Sequence, residues 1–395
     1  MTSTLDSADS TQARDTGPIN QWKFPVISAD SHITEAPDTY LEFIDPAYRD
    51  TAPKIVDGGE GVGDVFMIDG MGRGVPMGLV AAAGKPPEEI RIKGTKFADL
   101  HRSGWDATAR VADQNRDGVS AEIIYPTVGM VLCNHNDPDY KRACFQAYNR
   151  WIAAYCDVDR NRLLGCGQTA MRSPAEGIAD LHDIRDLGLR GVMMPGNPGC
   201  DTDYDDPVWD PFWEAAIELG LPLSFHILTT QSGTTRGPKM NGFLSIVRGC
   251  QDIMGMLVLG GVFERHPDLR VVCVEADAGW VPHFMYRMDH AYKRHRYWLP
   301  AGQQLSKLPS EYFAQNIYTT FQDDWTAFKF ANDMNWKRLM WANDFPHSDS
   351  TWPWSQEMLV EHTGSLTDEQ TQSILSGNVA GLYNIDLKTL AVSRN

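Results

Sequence analysis

Eight short apolar runs, rich in β-branched residues and separated by stretches of helical periodicity, constrain this chain more than any other feature. They lie at 24–30 (FPVISAD), 121–127 (AEIIYPT), 163–169 (LLGCGQT), 191–195 (GVMMP), 221–227 (LPLSFHI), 269–276 (LRVVCVEA), 317–321 (IYTTF) and 339–345 (LMWANDF). The intervening periodicity predicts helices at about 105–117, 140–158, 174–187, 208–219, 244–264, 280–298 and 324–334. Alternating strands and helices describe repeated βα units. Runs that are apolar almost throughout suit parallel strands covered on both faces, so eight of them predict an α/β fold, a closed TIM (β/α)8 barrel. A doubly wound open sheet is the runner-up, but no G-x-G-x-x-G follows the first run, which removes its best support.

The connection from the first strand to the first helix, 36–104, is far longer than an ordinary βα loop. Its Gly-rich centre (DGGEGVGD, GMGRGVPMG) makes it a candidate lid or pocket wall, with a decorative insertion or an oligomer contact as the plain alternative. Residues 1–20 are rich in Ser, Thr, Asp and Gly and lack both a basic start and an apolar core, so they read as a disordered tail and not a secretory signal. The rest, 21–395, reads as one domain, closed by C-terminal helices over 365–395 with Thr367 as a helix N-cap.

In a parallel barrel, chemistry is carried by polar side chains at the C-terminal ends of the strands. Four ends supply them: Asp30 and His32 after the first strand, His226 at the fifth, Glu275 at the sixth, and Asp344 with His347 at the eighth. Period-2 alternation sets Asp30 and His32 on one face, aimed at the mouth. Carboxylates converging in a buried site are unfavourable without a compensating cation, so a divalent metal ion explains the cluster. Imidazole with carboxylate suits zinc, manganese or iron better than magnesium or calcium.

At these residues the sequence resembles a known family. ISADSHITEAPDTY, SFHI, FERHPDLRVVCVEADAGWVPHFMYRMD, LMWANDFPHSDSTWP and the closing SGNVAGLYNID are similar to segments of the amidohydrolase-related metal-dependent hydrolases, in the same order over about 25–385. The resemblance implies a barrel enzyme with a divalent ion acting at carbonyl or carboxyl carbon, by hydrolysis of amide or C–C bonds or by decarboxylation of aromatic acids. It matches Asp30 and His32 to the first-strand ligands, His226 to the fifth-strand ligand, and Asp344 to the eighth-strand aspartate that both binds metal and exchanges a proton. The sequence departs from the pattern at Asp30, often histidine, and at Glu275, where many relatives carry histidine. It departs again at Met193 and Met194, where binuclear members place a carbamylated lysine. One ion leaves the ionised cluster at −1 and two bring it to +1, so the sequence leaves one or two ions per chain.

The first functional reading is a metal-dependent hydrolase of a small, cyclic or aromatic, carboxylate- or carbonyl-bearing molecule, with Asp344 passing the proton of a metal-activated water. Non-oxidative decarboxylation is the alternative, with His347 or His283 as candidate acids. A non-haem di-iron oxygenase on the same barrel is a further alternative, and a non-catalytic binding barrel the last. His135 in the CNHNDPDY loop is either a substrate contact or a turn residue. Trp352 and Trp354 either floor the pocket or pack, while Arg287 and Asp289 read as a structural pair.

The partner expected is a small-molecule substrate. A net charge of −17 argues against nucleic acid, and the lack of any uninterrupted run of about 18 apolar residues argues against a membrane span. Seven scattered cysteines without a C-x-x-C pair point to reduced thiols and a cytoplasmic setting. A homo-oligomer, most simply a dimer, is the expectation for a soluble enzyme.

Overall fold

The apolar runs become parallel strands because their side chains are apolar on both faces, and only a sheet covered on both sides buries them all. In the computed structural model, which describes residues 22–390 apart from 73, 231–234 and 301, the strands are Ile27–His32, Ala121–Tyr125, Leu163–Gln168, Gly191–Met194, Leu223–His226, Val271–Val274, Ile317–Phe321 and Leu339–Trp341. Each is buried along its length. Every strand pairs in parallel with the next in sequence, from first to eighth. The tail predicted over 1–20 lies outside the described residues.

The first and eighth strands meet without a regular ladder. His32 N donates to Phe345 O at 2.7 Å, Asp344 N donates to Asp30 O at 3.1 Å, and Asn343 N donates to Ser28 Oγ at 2.9 Å. Beneath these bonds runs Arg110, from the helix Ala107–Asp117. Its guanidinium donates to His32 O at 2.6 Å, to Phe345 O at 3.1 Å and to the Glu122 carboxylate at 2.6 Å. The sheet therefore nearly closes into a barrel, and the backbone that closes it is that of the predicted ligands Asp30, His32 and Asp344 and their neighbours.

The helices begin where the chain offers a cap. Asp106 accepts from the N–H groups of Thr108 and Ala109 to start Ala107–Asp117, and Gly118 at φ 68° ends it. Asp137 followed by Pro138 starts Pro138–Cys156 in the same way. The helix predicted over 244–264 is three, Asn241–Ser245, Arg248–Leu259 and Val262–Arg265. Its last break falls at Gly260 and Gly261, the latter at φ 74°. The predicted 324–334 helix covers only Trp325–Lys329, because Asn332, Asp333 and Asn335 favour turns over helix. Pro309–Asn316 and Ser355–Thr363 are helices too short for their periodicity to show. Asn241–Leu259 is long and apolar enough by composition to cross a bilayer; here Cys250, Ile253, Met254 and Leu257 bury one face of it in the core, against the fifth and sixth strands.

The 36–104 insertion holds a small antiparallel sheet, Lys54–Asp57, Asp64–Met67 and Val75–Pro76. It is tied to loops at the C-terminal end of the barrel. Ser348 N donates to Leu79 O at 2.9 Å, Ala83 N to Pro346 O at 3.0 Å, and Thr34 Oγ1 to Val80 O at 3.2 Å. At the chain's other end Thr367 and Gln370 form a reciprocal capping box at the start of Asp368–Gln372.

Candidate metal centre

Asp30, His32, His226, Glu275 and Asp344, from four strand ends, converge at the barrel mouth. Asp30 survives a register shift between Ser28 and Ser31 and still shares a face with His32, whose Nε2 lies 3.4 Å from Asp30 Oδ1. Glu275 and Asp344 sit just past their strands with left-handed backbone, φ 56° and φ 50°. That conformation costs a non-glycine residue roughly 1–3 kcal/mol and concentrates at functional sites.

His32 Nε2 is the hub, 3.1 Å from Glu275 Oε2 and 3.5 Å from Asp344 Oδ1. His226 Nε2 lies 3.2 Å from Glu275 Oε2 and 3.6 Å from Asp30 Oδ1. In both rings Nδ1 is 3.1 Å from a backbone carbonyl, Pro126 O for His32 and Ile227 O for His226. A carbonyl can only accept, so Nδ1 carries a hydrogen in each ring. In the neutral imidazoles both Nε2 lone pairs then point at carboxylate oxygens, an arrangement that repels unless a cation stands between them. Backbone carbonyls that fix the tautomer behind a free Nε2 are the usual outer support of a metal-binding histidine.

The protonation pattern shows the same strain. Burial opposes a charge on His226, but hydrogen bonds and charge from Asp30 and Glu275 outweigh it and push the pKa up to about 10. His32 is raised against the same burial by the same two acids. Burial would raise Asp30 and Glu275, yet the two histidines hold both below the usual carboxylate range. Asp344 goes well above it, through burial first and then the charges of Glu275 and Asp30. Both oxygens of Asp30, both of Asp344 and Nε2 of His226 are buried without a hydrogen-bond partner. Three acids, two correctly oriented imidazoles and five orphaned donor atoms fit a divalent ion. Two overlapping groups have the right geometry, Asp30–His32–His226–Glu275 and His32–Glu275–Asp344–His347.

His347 joins the site as the sequence suggests. Its Nδ1 is 3.0 Å from Asp344 Oδ1, its Nε2 is 2.9 Å from Thr127 Oγ1, and its ring stacks on His32 at 3.9 Å. Burial, then the charge of His32, drives its pKa well below the usual value. His283 does not join it. On Val281–His295 the buried face is Val281, Met288 and Tyr292, and His283 lies off it, exposed, with its ring 6.2 Å from Tyr286; position just beyond a strand end cannot tell which helical face a residue takes.

Other predicted residues are structural. His135 ties the insertion to the loop after the second strand, with Nε2 donating to Asp69 O at 2.7 Å. Trp352 packs between Phe345 and His101, while Trp354 is exposed. Asp289 accepts from Ser310 N and Oγ, not from Arg287. The fourth strand brings buried Met193 and Met194, which offer no oxygen or nitrogen ligand.

Sequence reasoning passed over three residues. Arg110 had a signal, since Ala107, Arg110, Gln114 and Asp117 form a buried stripe at helical spacing. Thr127 had none. Glu35 accepts from the N–H groups of Thr127, Val128 and Gly129, and burial pushes its pKa up to about 7.

A protein-family model described as "Amidohydrolase" matches residues 74–385. The 2-amino-3-carboxymuconate-6-semialdehyde decarboxylase of Dictyostelium discoideum is 25% identical over 305 residues, which cover 75% of this chain and 82% of that protein. Among solved structures, an amidohydrolase of Mycobacterium avium subsp. paratuberculosis K-10 matches with a TM-score of 0.74 at 18% identity, covering 93% of this chain and 100% of the other. The 5-carboxyvanillate decarboxylase of Novosphingobium aromaticivorans DSM 12444, complexed with manganese and 4-hydroxy-3-methoxy-5-nitrobenzoic acid, matches with a TM-score of 0.67 at 18% identity, covering 95% and 100%.

Proposed function

The chain belongs to the amidohydrolase family, and from that premise we propose that it is a divalent-metal-dependent decarboxylase of a small aromatic or related unsaturated carboxylic acid. The decarboxylases among its relatives favour this alternative over the hydrolytic first reading. Asp30, His32, His226, Glu275 and Asp344 are the ligand set. The two overlapping groups share His32 and Glu275, so one ion, manganese in the relative's complex, satisfies both. When bound, the ion supplies the positive charge that fixes the substrate carboxylate and a neighbouring oxygen.

The chain's own residues do the proton chemistry. Breaking the bond to the departing CO2 leaves its electron pair on the substrate carbon, and that carbon must receive one proton. Asp344 is the donor. Without the ion, burial and the charges of Glu275 and Asp30 favour its protonated form; in the loaded protein it would take up the proton only to pass it on, and end as a carboxylate. His347, 3.0 Å from Asp344 Oδ1 and held on its far side by Thr127, would relay to Asp344 the replacement proton that each turnover takes up from solvent. The 36–104 insertion walls the pocket through its ties at Leu79, Val80 and Ala83. Seven unbridged thiols suit a reducing, cytoplasmic setting.

The single observation that carries the reading is Asp344, a buried acid whose two oxygens have no hydrogen-bond partner and which lies beside His32 and His347. The test is turnover of hydroxybenzoates by manganese-loaded protein in D2O. The expected result is CO2 with one deuterium at the vacated carbon, lost in Asp344→Asn. A product that keeps its carboxyl carbon and gains water, or consumption of O2, would overturn it.

A further inference from the structure

Lys141 is a buried cation without a counter-ion. It is 4% exposed. Its Nζ makes one long bond, 3.4 Å to Cys133 O, and among the described residues no carboxylate oxygen comes within the 4.0 Å of an ion pair. Of the nearby acids, Asp137 accepts from the N–H groups of Asp139 and Tyr140, Asp139 pairs with Arg172, and Asp201, exposed on the same cavity, lies beyond ion-pair distance of Lys141. Lys141 also lies in the first turn of Pro138–Cys156, the end of a helix that disfavours a positive charge. Burial pulls its pKa down. A lysine in this position, in a chain of net charge −17, is an anomaly that packing alone does not explain.

Beside it is a cavity of about 240 Å³, bounded by the loops after the second and fourth strands. Lys141, Asn134, His135, Asn136 and Asn197 are on its wall, and so is the Asp201 carboxylate, an opposing charge that Lys141 does not pair with. Asn134 donates through Nδ2 to Leu228 O at 2.7 Å, and its Oδ1 is buried without a partner. The wall therefore offers an unmatched ammonium and an unmatched acceptor. We propose that this cavity binds a small oxyanion bearing a hydroxyl, as hydrogen phosphate or a hydroxycarboxylate does, with Lys141 pairing with the anion and Asn134 accepting the hydroxyl. The site draws on none of the metal ligands, so its test stands apart from the decarboxylase reading.

Calorimetric titration of the full chain with phosphate, lactate and acetate tests the proposal, with His226→Ala run in parallel. Phosphate or lactate should bind saturably to both proteins, more tightly than acetate, and the arm that binds identifies the source of the oxyanion. In Lys141→Met binding should weaken by about tenfold or more, the loss expected for a charge-assisted hydrogen bond. Thermal unfolding without anion should be no lower in Lys141→Met, because the variant removes an uncompensated charge. Asn134→Leu serves if that variant does not fold, and should lower phosphate and lactate affinity while leaving acetate alone. Absence of saturable binding at millimolar anion, or unchanged affinity in these variants, would overturn the proposal; binding lost in His226→Ala would assign the anion to the metal centre instead.

Discussion

Replacing Arg110 with methionine removes the clamp that joins the first and eighth strands under the metal centre. Arg110 is fully buried, paired to Glu122 at 2.6 Å and bonded to the carbonyls of His32 and Phe345 at 2.6 and 3.1 Å. Deleting one partner of a buried ion pair costs about 3–5 kcal/mol, since the other charge stays behind uncompensated. The His32 carbonyl, left without Arg110, adds about 1–3 kcal/mol, while Phe345 O keeps its bond from His32 N, and the methionine side chain returns about 1–2 kcal/mol by filling the space. The net loss is about 2–7 kcal/mol, a substantial part of the roughly 5–15 kcal/mol that holds a typical domain folded. Urea unfolding measures it, and the double variant Arg110→Met, Glu122→Met should recover several kcal/mol because it removes the stranded carboxylate. Manganese affinity should fall in the single variant, since the backbones of His32 and Phe345 lose their common anchor. A single variant within about 1 kcal/mol of the parent, with unchanged metal affinity, would refute the reasoning.

Three further outcomes follow from the same structure. Chelation should lower the unfolding temperature, because bound metal stabilises by about 2.7 kcal/mol at a hundredfold excess over its dissociation constant; an apo protein as stable as the loaded one would contradict a metal centre. Burial pushes the Asp117 pKa up to about 7, above its unfolded value near 4, so the stability it contributes is complete at acid pH and is lost as pH rises through about 7. Asp117→Asn should flatten that slope in a pH series of unfolding curves, and an unchanged slope would remove Asp117 as its source. His283→Ala should keep its activity while His347→Ala loses most of it, and the reverse order in steady-state kinetics would restore His283 as the acid.

The barrel was legible because each strand had to be apolar on both faces, a pattern that needs no long-range information. The clustering of Asp30, His32, His226, Glu275 and Asp344 was legible for a related reason, since they are polar residues at the ends of runs that tolerate none inside. What escaped depends on distant partners. Arg110 is bonded to carbonyls 78 and 235 positions away, and Thr127 meets His347 across 220. His283 lies apart from the cluster because the helical face was decided by Val281, Met288 and Tyr292 packing inward. The 36–104 insertion formed its small sheet from runs of four residues or fewer, too short for alternation to declare itself.

The account rests on one ion held at the barrel mouth, and a crystal structure of the manganese-loaded protein with anomalous data at the manganese edge tests that most directly. The predicted result is a single strong peak per chain at about 2.0–2.4 Å from Nε2 of His32 and His226 and from the Asp30, Glu275 and Asp344 carboxylates. The contradicting result is no peak there in protein that retains manganese, with the two imidazoles still paired directly to Glu275.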